Sequence, residues 1–171
     1  IKTVSQLIPQ QVPAEPGHRS IAQLLAHARS RFMRLTPREA DSAVRLGALL
    51  VDVRAESQRR RDGEIPDALV IDRTVFEWRL DPLSPSRIEP AVDRHAWVVV
   101  ICNQGFSSSL AAATLLDMGF TRATDVIGGA QAWRAAGLPL VRVDEPTDGI
   151  CWPGWSWPVA IARFTALTIC S

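Results

Sequence analysis

The segment Ile101-Cys102-Asn103-Gln104-Gly105-Phe106-Ser107-Ser108-Ser109 joins one nucleophile to a short glycine-containing loop and an Ala-rich helical stretch. Cys102 follows Val98-Val99-Val100-Ile101, a run of β-branched residues that reads as a buried strand. In open α/β sheets, ligands bind beyond the carboxyl ends of the strands, and Cys102 falls at such an end. The loop must curl tightly to enter the helix, and Gly105 supplies the backbone freedom. Its N–H groups and those of the first helical turn would converge on the sulfur. Such a nest, together with the positive end of the helix, favours an anion. A helix N-terminus stabilises a nearby anion by about 0.3–1 kcal/mol, rising to ~2 when partly buried. With one pKa unit equal to about 1.4 kcal/mol, that lowers a thiol pKa by roughly one unit, and N–H hydrogen bonds lower it further. The thiolate is the nucleophilic form. Position alone is equally compatible with a buried, inert cysteine, since free cysteines are mostly core residues.

The other chemistry-bearing residues have structural readings. Asp52 and Arg54 are expected to form an ion pair near a strand end, and Trp133 to sit in the core. Glu77-Trp78-Arg79 is a candidate wall of the pocket. Arg73 and Arg79, at and beyond the end of the second strand, are candidate anion contacts. His18, His27 and His95 are scattered without ligand spacing, so no metal is expected. Arg29, Arg31 and Arg34, and the run Arg59-Arg60-Arg61, read as solvated surface. Cys151 and Cys170 lie in an apolar C-terminal stretch and are expected to be unreactive, with resolving thiols as the other reading.

The positioning elements follow from periodicity. Ser20 can cap a helix whose Ile21, Leu24, Leu25, Ala28 and Phe32 form one apolar stripe. Thr36, Pro37 and Glu39 make a second start signal, a capping box with proline in the first helical position, with the stop near Arg45 and Gly47. Nearly continuous apolar runs at Ala48–Val53, Ala68–Asp72 and Trp97–Ile101 predict strands buried on both faces, and Thr124–Ile127 predicts a weaker fourth. Helices are expected at Thr74–Leu80, Ser108–Met118 and Gly129–Ala136. Alternating strands and helices predict an α/β fold with a parallel sheet covered on both faces.

Composition sets the bounds. The chain has 171 residues, 47% hydrophobic and 22% charged, which suits one globular domain with short appendages. A formal net charge of +1 provides no field to attract nucleic acid or an anionic membrane. An odd count of three cysteines argues against a disulfide framework and for a reducing, cytoplasmic setting. The first residues lack the pattern of a signal peptide. Residues 150–171 hold Trp152, Trp155 and Trp157, and Pro153, Pro158 and Arg163 interrupt them. The unbroken apolar part is shorter than the roughly 20 residues of a spanning helix, so no membrane span is expected. The expected division is an N-terminal arm and helix (1–34), a domain (35–143) and an apolar tail (144–171).

Over Leu35 to about Val143 the sequence resembles the rhodanese family. Leu49-Leu50-Val51-Asp52-Val53-Arg54 is similar to the family's first-strand signature, hydrophobic residues followed by Asp-x-Arg. Gly63-Glu64-Ile65-Pro66-Asp67-Ala68 resembles its Gly-His-Ile-Pro-Gly-Ala segment, with Glu64 at the histidine position. Val99–Ser108 resembles the active-site strand and loop. Gly128-Gly129-Ala130-Gln131-Ala132-Trp133 and Gly137-Leu138-Pro139 match the closing Gly-Gly-x-x-Ala-Trp…Gly-x-Pro pattern.

The resemblance implies a rhodanese-like sheet of about five parallel strands with helices on both faces. It implies a sulfurtransferase that needs no cofactor. Sulfane sulfur would pass from a donor, thiosulfate or a persulfide, to a thiophilic acceptor such as a thiol or cyanide. Cys102 would carry it as a persulfide by covalent catalysis, and Asn103, Gln104, Gly105, Phe106, Ser107 and Ser108 would cradle the outer sulfur. The donor could also be a persulfide on a protein. The family often places Arg five positions after the cysteine, where this chain has Ser107. Thiosulfate would there lose a partner worth about 1.5–3 kcal/mol. Two other functions fit the same loop. A cysteine-dependent phosphatase would want Arg six positions after the cysteine, to clamp phosphoryl oxygens, and that position is Ser108. A binding or regulatory module would keep the fold without turnover.

Overall fold

The computed structural model describes residues 19–89 and 91–142. Residues 1–18 of the expected N-terminal arm, His18 among them, and Cys151, Cys170 and the Trp-containing tail lie outside the described residues. Four parallel strands form one sheet in the order β2-β1-β3-β4: β1 (Leu49–Asp52), β2 (Leu69–Val70), β3 (Trp97–Ile101) and β4 (Arg122–Asp125). β3 is central, pairing Leu49–Asp52 of β1 with its Val98–Ile101 and Arg122–Asp125 of β4 with its Trp97–Val100.

A fifth extended position flanks β4 and is one residue long, the parallel bridge Leu35–Val126. Leu35 N–H donates to Asp125 O at 3.0 Å, and Ile127 N–H donates to Leu35 O at 2.8 Å. The sequence shows why it stops there. Thr36 immediately begins the capping box of α2 (Pro37–Arg45), accepting from Glu39 N–H while the Glu39 carboxylate accepts from Thr36 N–H at 2.7 Å. The expected five strands are therefore four among the described residues plus this bridge. The expected run Ala68–Asp72 also contracts, to the two-residue β2. It lies at the sheet edge with Val70 exposed, and short edges limit unwanted pairing.

The remaining helices are α1 (Ile21–Arg29), α3 (Glu56–Asp62), α4 (Phe76–Leu80), α5 (Ser107–Asp117) and α6 (Gly129–Ala135). α1 starts at the expected Ser20 but stops short of Phe32. The Ser30 hydroxyl bonds back to His27 O at 2.8 Å, a local bond that competes with another helical turn. α3 has no counterpart in the sequence reading. Its residues, Glu56-Ser57-Gln58-Arg59-Arg60-Arg61-Asp62, carry no apolar stripe and none is buried, so periodicity is silent there.

Side chains alternate across β3 and build two cores. Val98, Val100 and then Cys102 face the layer of α4 and α5, with Phe76, Leu80 and Leu115. Val99 and Ile101 face the layer of α2 and α6, with Ala40, Ala43 and Trp133. Ala111 and Ala112 let α5 lie close against the sheet. Leu115 and Phe76 are fully buried, each worth about 1.5–3 kcal/mol of apolar transfer. Trp133 sits in the core as expected, its indole N–H donating to Pro139 O at 3.1 Å.

Candidate functional site

Cys102 is the first residue beyond β3 and is 5% exposed. The chain from there to α5 is tied down from behind, carbonyl by carbonyl. Ala130 N–H donates to Cys102 O at 2.8 Å, and Gln131 N–H donates to Asn103 O at 3.1 Å. Gly105 O accepts the Arg29 guanidinium at 2.8 Å and the Arg34 guanidinium at 3.1 Å, with the Ser109 oxygen 3.1 Å away. In a trans peptide the C=O and the next N–H point in opposite directions. Anchoring these three carbonyls therefore turns the N–H groups of Asn103, Gln104 and Phe106 away from the anchors.

On the inner side, Gly105 N–H donates to Cys102 Sγ at 3.1 Å. The Cys102 thiol lies 3.2 Å from Ser108 Oγ, and the Ser108 hydroxyl donates to Asp125 Oδ2 at 3.0 Å. Burial pushes the Cys102 thiol up. The hydroxyls of Ser107 and Ser108 and the N–H groups of Ser108 and Gln104 outweigh that effect, and the thiol ends below its ordinary value.

Two glycines make the curl possible. Gly105 has φ +78°, and a Cβ there would stand 2.8 Å from Gly128 N. Gly129 has φ +59°, and a Cβ there would run into the loop backbone, 2.7 Å from Asn103 C and 2.8 Å from Gln104 N. This is the physical content of the closing Gly-Gly pair, which brings the first turn of α6 under the loop.

The loop residues named from the sequence all lie together here. Gly105 and Ser108 are buried, Asn103 is half-buried, and Gln104, Phe106 and Ser107 are exposed. The Asn103 side-chain oxygen is buried and has no hydrogen-bond partner among the described residues. Arg73 is engaged by Glu77, at 2.8 and 3.0 Å, and lies 5.7 Å over the Phe76 ring. Arg79 donates to Ser86 O at 3.1 Å. Trp78 is exposed. Asp52 and Arg54 form the expected ion pair, both buried, with contacts of 2.7–3.0 Å. Arg54 also donates to Gly63 O at 2.9 Å, fixing the turn that leaves α3.

The sequence reading of Arg29, Arg34 and Arg59 as solvated surface is corrected. Arg34 pairs with the fully buried Asp125 through Nε–Oδ1 at 2.7 Å and a second bond at 2.9 Å. Arg29 donates to Ser109 Oγ at 3.0 Å and lies 5.6 Å over the Phe106 ring. Arg59 donates to Arg54 O. A usable signal was Asp125 itself. An acidic residue in a strand buried on both faces requires a cation or several donors, and the only basic residue adjoining the Leu35 bridge is Arg34.

No group of three or more His, Cys, Asp or Glu among the described residues is placed to hold a metal. No helix among them is long and apolar enough to cross a membrane.

Comparison with known proteins agrees with this geometry. The family model of the Rhodanese-like domain matches residues 36–136. The thiosulfate sulfurtransferase GlpE of Pseudomonas savastanoi pv. phaseolicola is 35% identical over 106 residues, covering 62% of this chain and 91% of that one. Among solved structures, a Rhodopseudomonas palustris protein of unknown function, described as a possible tyrosine phosphatase, superposes with a TM-score of 0.66. It is 32% identical and covers 78% of this chain and 98% of its own. The polysulfide-sulfur transferase homodimer of Wolinella succinogenes gives a TM-score of 0.56 at 25% identity, covering 69% and 84%. With its cysteine loop, its sheet order and a family match over most of the described residues, the chain belongs to the rhodanese-like domain family, among its sulfurtransferases.

Proposed function

We propose that this sulfurtransferase carries sulfur on Cys102 as a persulfide. The observation that supports this most is the polar ring around Sγ. It combines Gly105 N–H at 3.1 Å, Ser108 Oγ at 3.2 Å and a thiol held below its ordinary value, in a loop whose carbonyls are fixed on the far side. In the first half-reaction the Cys102 thiolate attacks the sulfane sulfur of the donor. A new Sγ–S bond forms, the donor's S–S bond breaks, and sulfite or a thiolate leaves with the electron pair. In the second, a thiolate or cyanide attacks the outer sulfur, and Cys102 leaves as thiolate. The N–H groups of Asn103 to Ser108 would hold the outer sulfur. A reducing, cytoplasmic setting would keep Cys102 available as a thiol.

The donor follows from charge. Ser107 leaves the loop without a cation of its own, and the two nearby guanidiniums of Arg29 and Arg34 are committed to Gly105 O, Ser109 and Asp125. A doubly charged donor gains less here than in a loop with arginine, by about 1.5–3 kcal/mol, or roughly 10- to 150-fold in affinity. A persulfide donor loses less. The GlpE relatives, named for thiosulfate, make thiosulfate the comparison donor.

Phosphatase chemistry is the competing reading, raised by the description of the Rhodopseudomonas palustris neighbour. It needs an arginine fork where this chain has Ser108, and the buried carboxylate of Asp125 lies 3.0 Å from that hydroxyl, a poor neighbour for a phosphoryl dianion.

Intact mass spectrometry without reductant tests the proposal, before and after thiosulfate and then a low-molecular-weight persulfide, with Cys102→Ser alongside. One added sulfur on the wild type only, removed by cyanide, is expected, with the persulfide the better donor. No uptake from either donor with Cys102 reduced would overturn it in favour of a non-catalytic module. Aryl-phosphate hydrolysis lost in Cys102→Ser would overturn it in favour of the phosphatase.

A further inference from the structure

Behind the loop a buried carboxylate is joined to the nucleophile through one hydroxyl. Asp125 ends β4 and is fully buried. Its Oδ2 accepts from Arg34 at 2.9 Å, Ser108 at 3.0 Å and Ser109 at 2.8 Å, and its Oδ1 accepts from Arg34 Nε at 2.7 Å. The Ser108 oxygen is at the same time 3.2 Å from Cys102 Sγ. A serine hydroxyl has one proton to give and lone pairs to accept with. With Cys102 a thiol, S–H donates to Ser108 and Ser108 donates to Asp125, so every group is satisfied. With Cys102 a thiolate, the sulfur and the carboxylate compete for the same proton. Asp125 keeps two bonds from Arg34 and one from Ser109, so it can release Ser108 without being orphaned.

We propose that Ser108 is a two-position donor, bonded to Asp125 while Cys102 is a thiol and turned to Sγ while it is a thiolate. Arg34 is the positioning residue that lets it turn. This rests on Cys102 being the nucleophile of the proposed transfer, where it is a thiolate both on attack and on departure. No covalent bond to Ser108 forms. The Cys102 proton leaves to a solvent base, and the serine keeps its own. Arg34 lies before the region matched by the family model, residues 36–136, so the device draws on chain outside the recognised domain.

The other charged groups around the site are already engaged. Arg29 of α1 is spent on Gly105 O and Ser109. Asp52, the last residue of β1, and Arg54 just beyond it are paired with each other, as are Arg73 and Glu77 around the start of α4. The first turn of α5 holds no acidic residue.

The test is the pH dependence of Cys102 alkylation by iodoacetamide in the full chain, read by peptide mass spectrometry. Ser108→Ala is expected to move the midpoint up, slowing alkylation below it about tenfold, which corresponds to ~1.4 kcal/mol. Asp125→Asn is expected to move it down, because the competing carboxylate is gone and Arg34 remains. Arg34→Met is expected to move it up, since an unneutralised Asp125 holds the serine proton, and Arg34→Lys to restore it. If Asp125→Asn does not fold, the Met and Lys pair carries the test alone. Ser108→Ala and Asp125→Asn moving the midpoint the same way, or Arg34→Met matching wild type, would overturn the proposal. Alkylation needs no sulfur donor. Opposed shifts in a protein that takes up no sulfur would therefore refute the persulfide reading and leave the Ser108 exchange as a property of the Cys102 thiol with no transfer to serve.

Discussion

Replacing Gly129 with Ala tests the claim that the Gly-Gly turn exists to let α6 support the Cys102 loop. Two costs apply. The backbone is left-handed at φ +59°, which costs a residue with a Cβ about 1–2 kcal/mol. The new methyl would also meet backbone, at 2.7 Å from Asn103 C and 2.8 Å from Gln104 N, besides the Cys102 carbonyl oxygen. Backbone cannot swing aside as a flexible side chain does, and overpacking of this kind costs about 1–3 kcal/mol. Together that is about 2–5 kcal/mol, or a fall in Tm of roughly 8–20 °C at about 4 °C per kcal/mol. The loop also has to move, breaking the bonds from Ala130 and Gln131 to the carbonyls of Cys102 and Asn103. Gly137→Ala is the matched control. It has φ +71°, and nothing lies within 4 Å of its added Cβ, so only the conformational cost applies, roughly 4–8 °C. Thermal unfolding by circular dichroism compares the two, with Cys102 alkylation at neutral pH as the readout of the loop. A Gly129→Ala protein as stable as Gly137→Ala, or one alkylated at the wild-type rate, would show that the close approach is not what the glycine is for.

Four further outcomes are expected. The alkylation midpoint of Cys102 should lie below that of an ordinary cysteine, since its hydrogen bonds outweigh burial. A midpoint at or above the free-thiol value of about 8.5 would contradict that balance. A lowered thiol pKa in the folded state stabilises the protein above the unfolded value and loses that stabilisation as pH falls through the folded value. The stability advantage of wild type over Cys102→Ser should accordingly grow from neutral pH into the alkaline range, as urea titrations at several pH values would show. Asp52→Asn should cost about 3–5 kcal/mol by leaving Arg54 buried without its counter-charge. Arg45→Ala, which removes an i,i+4 pair whose arginine is 75% exposed, should cost no more than about 0.5 kcal/mol by the same denaturation assay.

The parts of the fold written in apolar periodicity and capping chemistry were legible. Val98-Val99-Val100-Ile101 places β3 because alternate residues must fill two cores. Thr36-Pro37-Arg38-Glu39 places the start of α2 because the capping box satisfies N–H groups locally. α3 was illegible because Glu56–Asp62 buries no residue. Its local supports are the Gln58 side chain reaching back to Ala55 N–H at 3.2 Å and the bond from Arg59 back to Arg54 O. The site divided in the same way. Cys102 and its loop are contiguous in sequence and could be read from one segment. Arg29 and Arg34 act from 73 and 68 residues away and look ordinary in their own segment, while Asp125, 23 residues away, signals a need for a cation without saying which residue supplies it. Arg34 in particular sits in an Arg-rich stretch whose usual fate is solvent. What takes it inward is a carboxylate on a strand that only the sheet order brings beside it.

The same bonds that close the fold also set the polarity of the site. A loop leaving a parallel strand exposes carbonyls as readily as N–H groups, and a carbonyl facing the sulfur would repel a thiolate. Here the carbonyls of Cys102, Asn103 and Gly105 are each claimed from behind, two by backbone N–H groups of α6 and one by the guanidiniums of Arg29 and Arg34. Planar trans peptides then commit the intervening N–H groups to the opposite side. The donor-rich character of the cradle is therefore a consequence of how the N-terminal segment and α6 pack, and not of the loop residues alone. The thiol itself is held below its ordinary value, against burial, first by the hydroxyls of Ser107 and Ser108, with the N–H groups of Ser108 and Gln104 adding to them. The cations of Arg29 and Arg34 orient the peptide plane of Gly105 from the rear, and the loop from Cys102 to Ser108 carries no cation of its own.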